Sequence, residues 1–128
     1  MNRGTIACVL CIAAVLVALA FSPEVRAQQY SLESVLVGKW RQQYSGLITD
    51  TVFTAGHEFV AETVQPGSAY RVYISGTWEI RNSNQLWQHN LRVSPSNLQV
   101  QEWEGTEIAV IDANHLRTGS GGDLFRVP

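Results

Sequence analysis

Three histidines, His57, His89 and His115, are the side chains of this sequence best suited to exchange a proton near neutral pH. None stands beside another histidine or a cysteine at a spacing that makes a metal site, so no metal is expected. His57 and His115 fall in segments that read as turns and are expected there as solvated residues. His89 alternates with Trp87 and Leu91, which points it inward or along an apolar strip as a hydrogen-bonded structural group. Carboxylates offer a second chemistry: Glu102, Glu104 and Glu107 flank Trp103, and Glu58 and Glu62 form another near pair. Such pairs divide acid and base roles only when burial separates their pKa values, and acids alternating along strands are mostly solvated surface. Ser120, inside Gly119-Ser120-Gly121-Gly122, lacks the strand-to-helix elbow of a nucleophile and matches no phosphate loop. It reads as part of a hairpin loop. No catalytic residue and no cofactor are expected.

The elements that would position these groups are short. Ser31 followed by Leu32, Glu33, Val35 and Leu36 reads as one or two turns of helix ending before Gly38. Beyond it the helical period disappears. Lys39 to Tyr44 reads as a strand with Trp40, Gln42 and Tyr44 on one face, and Leu47 to Ala55 as a second, rich in β-branched residues. Glu58 to Val64 returns as a third, closed by the turn dipeptide Pro66-Gly67. From Tyr70 to Arg81, Tyr70, Val72, Ile74, Trp78 and Ile80 alternate with polar neighbours, and Gly76 inside that run marks a bulge or bend. Gln85 to Val93, Leu98 to Trp103, Thr106 to Ile111 and a last pair divided by the glycine-rich loop complete eight to nine strands. Turn signals at this spacing, with no helix between strands, imply an antiparallel sandwich or barrel.

The two ends of the chain differ in kind. Arg3 precedes an uncharged run from Thr5 to Phe21, and Val25 and Ala27 follow as small residues at alternate positions. This is the three-part pattern of a secretory signal, with cleavage expected after Ala27 and the domain spanning 28–128. The alternative is an uncleaved anchor, since an apolar run of about 17 residues lies at the lower limit for spanning a bilayer. Both cysteines, Cys8 and Cys11, fall inside the apolar run, so the domain must be stable in an oxidising compartment without a disulfide. Removal of residues 1–27 leaves seven basic and ten acidic residues, a net charge of −3. Lys39 is the sole lysine and no basic cluster exists. Nucleic acid is therefore excluded as a partner, and membrane contact is expected only through the signal peptide. The expected location is periplasmic or secreted.

Gly38-Lys39-Trp40 at the entry to the first strand, after a helical lead-in, and Arg126 in the closing strand together resemble the calycin group: lipocalins and their short bacterial relatives. The resemblance implies a small antiparallel up-and-down β-barrel of about eight strands, with the Trp40 indole across its closed bottom and Arg126 packed over it. A guanidinium over an indole gains on the order of 0.5–1 kcal/mol. Gly76-Thr77-Trp78 repeats the Gly-x-Trp pattern and is similar to the middle of such domains, so Gly38, Trp40, Gly76, Trp78 and Arg126 are expected as structural residues. At about 100 residues and without cysteines in the domain, this chain departs from full-length lipocalins, and the shorter barrel has less interior.

Two functions follow as expectations. The first is an exported, non-catalytic binding protein for a small apolar molecule, with Tyr44, Tyr70, Trp87 and Trp103 at the rim or lining. The second is a protein-interaction module similar to periplasmic protease inhibitors, in which Gln28 to Leu32 would engage the partner and exposed aromatics such as Tyr73 would serve as anchors.

Overall fold

The computed structural model describes residues 31–128; the expected signal peptide, 1–27, and the boundary after it lie outside the described residues. The first element, α1 (Leu32–Leu36), is capped by Ser31, whose hydroxyl accepts from the Ser34 amide at 3.3 Å. Its apolar residues Leu32, Val35 and Leu36 are all buried. Eight strands follow: β1 (Gly38–Tyr44), β2 (Leu47–Phe53), β3 (Glu58–Val64), β4 (Arg71–Arg81), β5 (Gln85–Ser94), β6 (Trp103–Asp112), β7 (His115–Thr118) and β8 (Asp123–Arg126). Each pairs antiparallel with its sequence neighbours, and β1 pairs with β8, so the sheet closes into an up-and-down barrel. Closure leaves no free sheet edge along the paired strands, which is how a small all-β chain avoids joining other chains.

One stretch differs from expectation. Leu98 to Trp103 and Thr106 to Ile111 are not two strands; Trp103–Asp112 is one continuous strand, and the residues from Pro95 to Glu102 form an irregular loop. The gap between the two expected segments contains Gly105. This glycine makes room for a side chain: the Trp87 indole lies so close that a Cβ on Gly105 would stand 2.6 Å from its Cζ2. This is an indole covering a strand glycine, with Trp87 directly opposite Gly105 in the register.

The expected bend at Gly76 is real. The β4–β5 register shifts between Ser75 and Gly76, and a Cβ at Gly76 would fall 1.8 Å from the His89 carbonyl oxygen. No other residue permits that approach.

The core fills one end of the barrel. Trp40, Trp78, Phe59, Leu36 and Leu116 are its largest fully buried side chains, and Phe53 packs edge-on against Trp78 with ring centroids 5.9 Å apart. The carbonyl of Leu36 accepts the Trp40 Nε1 hydrogen at 2.8 Å, so α1 lies over this end as a lid. Arg126, opposite Trp40 in the β1–β8 register, holds its guanidinium 4.4 Å from the Trp40 ring centroid. Its nitrogens donate to three carbonyls: Val35 at 2.6 Å, Val37 at 3.0 Å and Ala113 at 3.0 Å. Gly38, at φ +132°, gives the guanidinium its space, since a Cβ there would meet Arg126 Nη1 at 2.5 Å.

Candidate binding cavity

Strand alternation sends one set of side chains into the barrel above this plug. All eight strands contribute to a cavity of about 270 Å³. Its lower wall is apolar, with Phe53, Phe59, Ile74, Leu86, Ile108 and Leu124. Its upper wall is polar: Gln42, Thr49, Thr63, Asn90, Glu104 and Thr118 stand nearer the strand ends that carry the loops 45–46, 65–70, 95–102 and 119–122. Thr49 and Thr63 share a hydrogen bond between hydroxyls at 2.8 Å. Asn90 Nδ2 donates to the Gln101 carbonyl at 2.8 Å and to Glu104 Oε1 at 3.2 Å, which fixes the carboxylate at the mouth. Among the described residues, every buried side-chain polar atom has a hydrogen-bond partner.

A second hollow, about 690 Å³, lies at the β1–β8 seam, where the strand ladder stops at Arg41 opposite Phe125. It is larger, yet it is walled by two strands, the loop at Gly121-Gly122 and the residues Val127 and Pro128, whereas every strand encloses the interior cavity. Side chains from all eight strands converge on the interior cavity, which makes it the better candidate for a small ligand. Gln42 stands between the two hollows, its Nε2 filling the space that a Cβ on Gly122 would occupy at 2.6 Å.

The four aromatic residues expected at the rim separate. Tyr44 lines both hollows and is 53% exposed. Tyr70 lies in the β3–β4 loop and touches neither. Trp87 and Trp103 point out of the barrel, because Leu86, Gln88 and Glu104 between them point in. The structure brings these two indoles together on the outer wall through Arg81, whose guanidinium carbon lies 4.4 Å from the Trp87 ring and 5.3 Å from the Trp103 ring. His89 stacks on Trp103 with ring centroids 4.1 Å apart and planes within 2°. Both indoles pack against planar groups of the outer wall instead of the cavity. His89 thus faces outward, because it pairs with Trp103 across the β5–β6 ladder on the outer face.

None of the histidines is a simple solvated turn residue. His57 Nε2 bonds Glu33 Oε1 at 2.6 Å and its ring packs on Trp78, tying α1 to the β2–β3 turn. His89 Nε2 meets Glu102 at 3.1 Å. His115 Nε2 meets Asp123 at 2.8 Å and stacks on Phe125. The hydrogen bond from His115, with that from Arg117, holds the Asp123 carboxyl below its ordinary range. From β1, the fork of Arg41 donates to both oxygens of Asp50 on β2, at 2.7 and 2.9 Å, and lowers that carboxyl likewise. Sequence spacing hides the histidine pairs, since Glu33 and His57 stand 24 positions apart and meet only through the fold. Glu58 and Glu62 lie along β3 outside the cavity lining. Among the described residues, no group of three or more His, Cys, Asp or Glu converges on a metal position.

The geometry defines an amphipathic chamber, open at its loop end, with a built floor. Set against protein-family models and against curated proteins, the chain matches none of them.

Proposed function

We propose that this chain is an exported, non-catalytic binding protein of lipocalin-like type, holding one small and largely apolar molecule inside its barrel. The observation that carries the reading is the cavity of about 270 Å³ to which all eight strands contribute. An eight-stranded barrel is just wide enough either to be filled by side chains or to hold one small ligand, and the space left above Phe53 and Phe59 supports the second case. The Gly38-x-Trp40 entry with Arg126 over the indole supports the likeness to lipocalins. The charged-apolar-small pattern of residues 1–27 supports export to a periplasmic or extracellular location. The histidine–carboxylate pairs stand outside the cavity lining, which favours binding over reaction.

A second reading, a protein-interaction module, is favoured by the seam, where Tyr44 and Phe125, 53% and 54% exposed, line one hollow. Native mass spectrometry of the protein from the exported fraction of its own host separates the two. A retained small molecule is the expected result. A bare polypeptide mass in gently prepared samples, together with co-purification of a protein, overturns the carrier reading in favour of the second.

A further inference from the structure

The chamber has a sign as well as a shape. Among the described residues that line it, Glu104 alone carries a formal charge, and none is a lysine, arginine or histidine. The basic side chains of the barrel are engaged elsewhere. Lys39 and Arg41 face Asp50, Arg71 faces Glu62, Arg81 lies on the outer indoles, Arg117 meets Asp123, and Arg126 sits in the floor over Trp40. Arg92 stands opposite Ser75 on the outer side of the β4–β5 ladder. A ligand with an anionic head would bring its charge beside the exposed Glu104 carboxylate at the mouth, where like charges repel and no cation of the lining offsets them.

From these placements, and resting on the carrier reading above, we infer that the cavity takes a small cationic amphiphile: a protonated amine at the mouth on an apolar body that reaches Phe53 and Phe59. Glu104 is suited to receive it. Its Oε1 is held by Asn90 Nδ2 at 3.2 Å, and among the described residues its Oε2 accepts no hydrogen bond. An ammonium group has three donors and needs several acceptors, which Glu104 and the amide and hydroxyl oxygens of Gln42, Gln88, Thr106 and Thr118 supply around it. Below, the apolar wall accepts a hydrocarbon and offers nothing to a second polar group.

The test is an NMR titration of the exported protein at low ionic strength with three probes of one chain length: hexylamine, hexanol and hexanoate. It is run on the unaltered protein, on Glu104→Gln, and on Glu107→Gln, a carboxylate outside the lining. Hexylamine is expected to bind roughly tenfold tighter than hexanol, in keeping with one charge-assisted hydrogen bond, and hexanoate weakest of all. Glu104→Gln is expected to abolish the amine preference, so that amine and alcohol bind alike, and Glu107→Gln to preserve it. Added salt should shrink the preference in the unaltered protein. Equal binding of amine and alcohol, or an amine preference that survives Glu104→Gln, overturns the cationic head and leaves the carrier reading standing. Shifts from none of the three probes at cavity residues overturn both.

Discussion

Replacing Arg126 by alanine removes four interactions at once, and the structure sets their size. Three N–H groups lose carbonyl partners at 2.6, 3.0 and 3.0 Å, and the cation leaves the Trp40 ring at 4.4 Å. At roughly 1 kcal/mol net for each hydrogen bond, with part of the loss repaid because water reaches the Ala113 carbonyl, plus about 0.5 kcal/mol for the ring contact, the cost comes to about 3 kcal/mol. For a domain of this size that lowers the melting temperature by roughly 12–24 °C. Arg126→Lys keeps the charge but loses the planar fork, and about half the loss is expected. The assay is thermal unfolding followed by near-ultraviolet circular dichroism, which reports on buried Trp40 and Trp78. Gly38 supplies an internal check. Gly38→Ala should destabilise the unaltered protein because its Cβ would stand 2.5 Å from Arg126 Nη1, and should cost less once Arg126 is alanine. The positive φ of Gly38 keeps part of that cost in both backgrounds. A melting temperature for Arg126→Ala within 3 or so degrees of the parent (less than about 1 kcal/mol), or strict additivity with Gly38→Ala, would refute the plug as the source of stability.

Gly76→Ala drives a Cβ into the His89 carbonyl at 1.8 Å and should cost about 3 kcal/mol, read as a lower urea midpoint; an unchanged midpoint means that the bulge relaxes freely. Asp50 is held below the ordinary aspartate value by the Arg41 hydrogen bonds, so its folded form binds protons less readily than its unfolded form. Its stabilising contribution is complete above the unfolded value of about 4 and disappears as pH falls through the lower folded value, so urea midpoints should decline in that acid window, and Asp50→Asn should flatten the decline. Ala61→Phe fills the middle of the cavity and should lower ligand retention at least tenfold, while melting stays within about 5 °C of the parent; retention at the original level would place the ligand elsewhere.

The barrel was legible because its strands follow simple rules. Period-2 alternation in Tyr70 to Arg81 survives in β4 as an inward row of Val72, Ile74, Trp78 and Ile80, and Gly76 breaks the ladder where a strand glycine should. The closing contact between Trp40 and Arg126 stood in the sequence as two isolated residues, and the register sets them opposite each other. The continuity of β6 through Gly105 was less legible, because the indole that covers this glycine comes from the partner strand. The cavity was less legible for a related reason. Aromatic residues suggested a lining, yet Trp87 and Trp103 occupy the outward parity of β5 and β6, and the interior wall is made largely of threonines, amides and medium aliphatics. Such residues carry no motif. Their meaning comes from eight strands sending alternate side chains to one volume.

Seven of the eight ladders join strands adjacent in sequence, and the β1–β8 seam alone joins strands far apart. Each hairpin can therefore form as soon as its own two strands exist, whereas the wall of the cavity waits for residues 123–126. A chain stopped short of β8 would hold nearly all its local pairing and still be a curved open sheet with the edges of β1 and β7 unpaired, the form that seeks copies of itself. Four residues thus decide between a closed vessel and an aggregating ribbon, and the arginine among them fastens the seam.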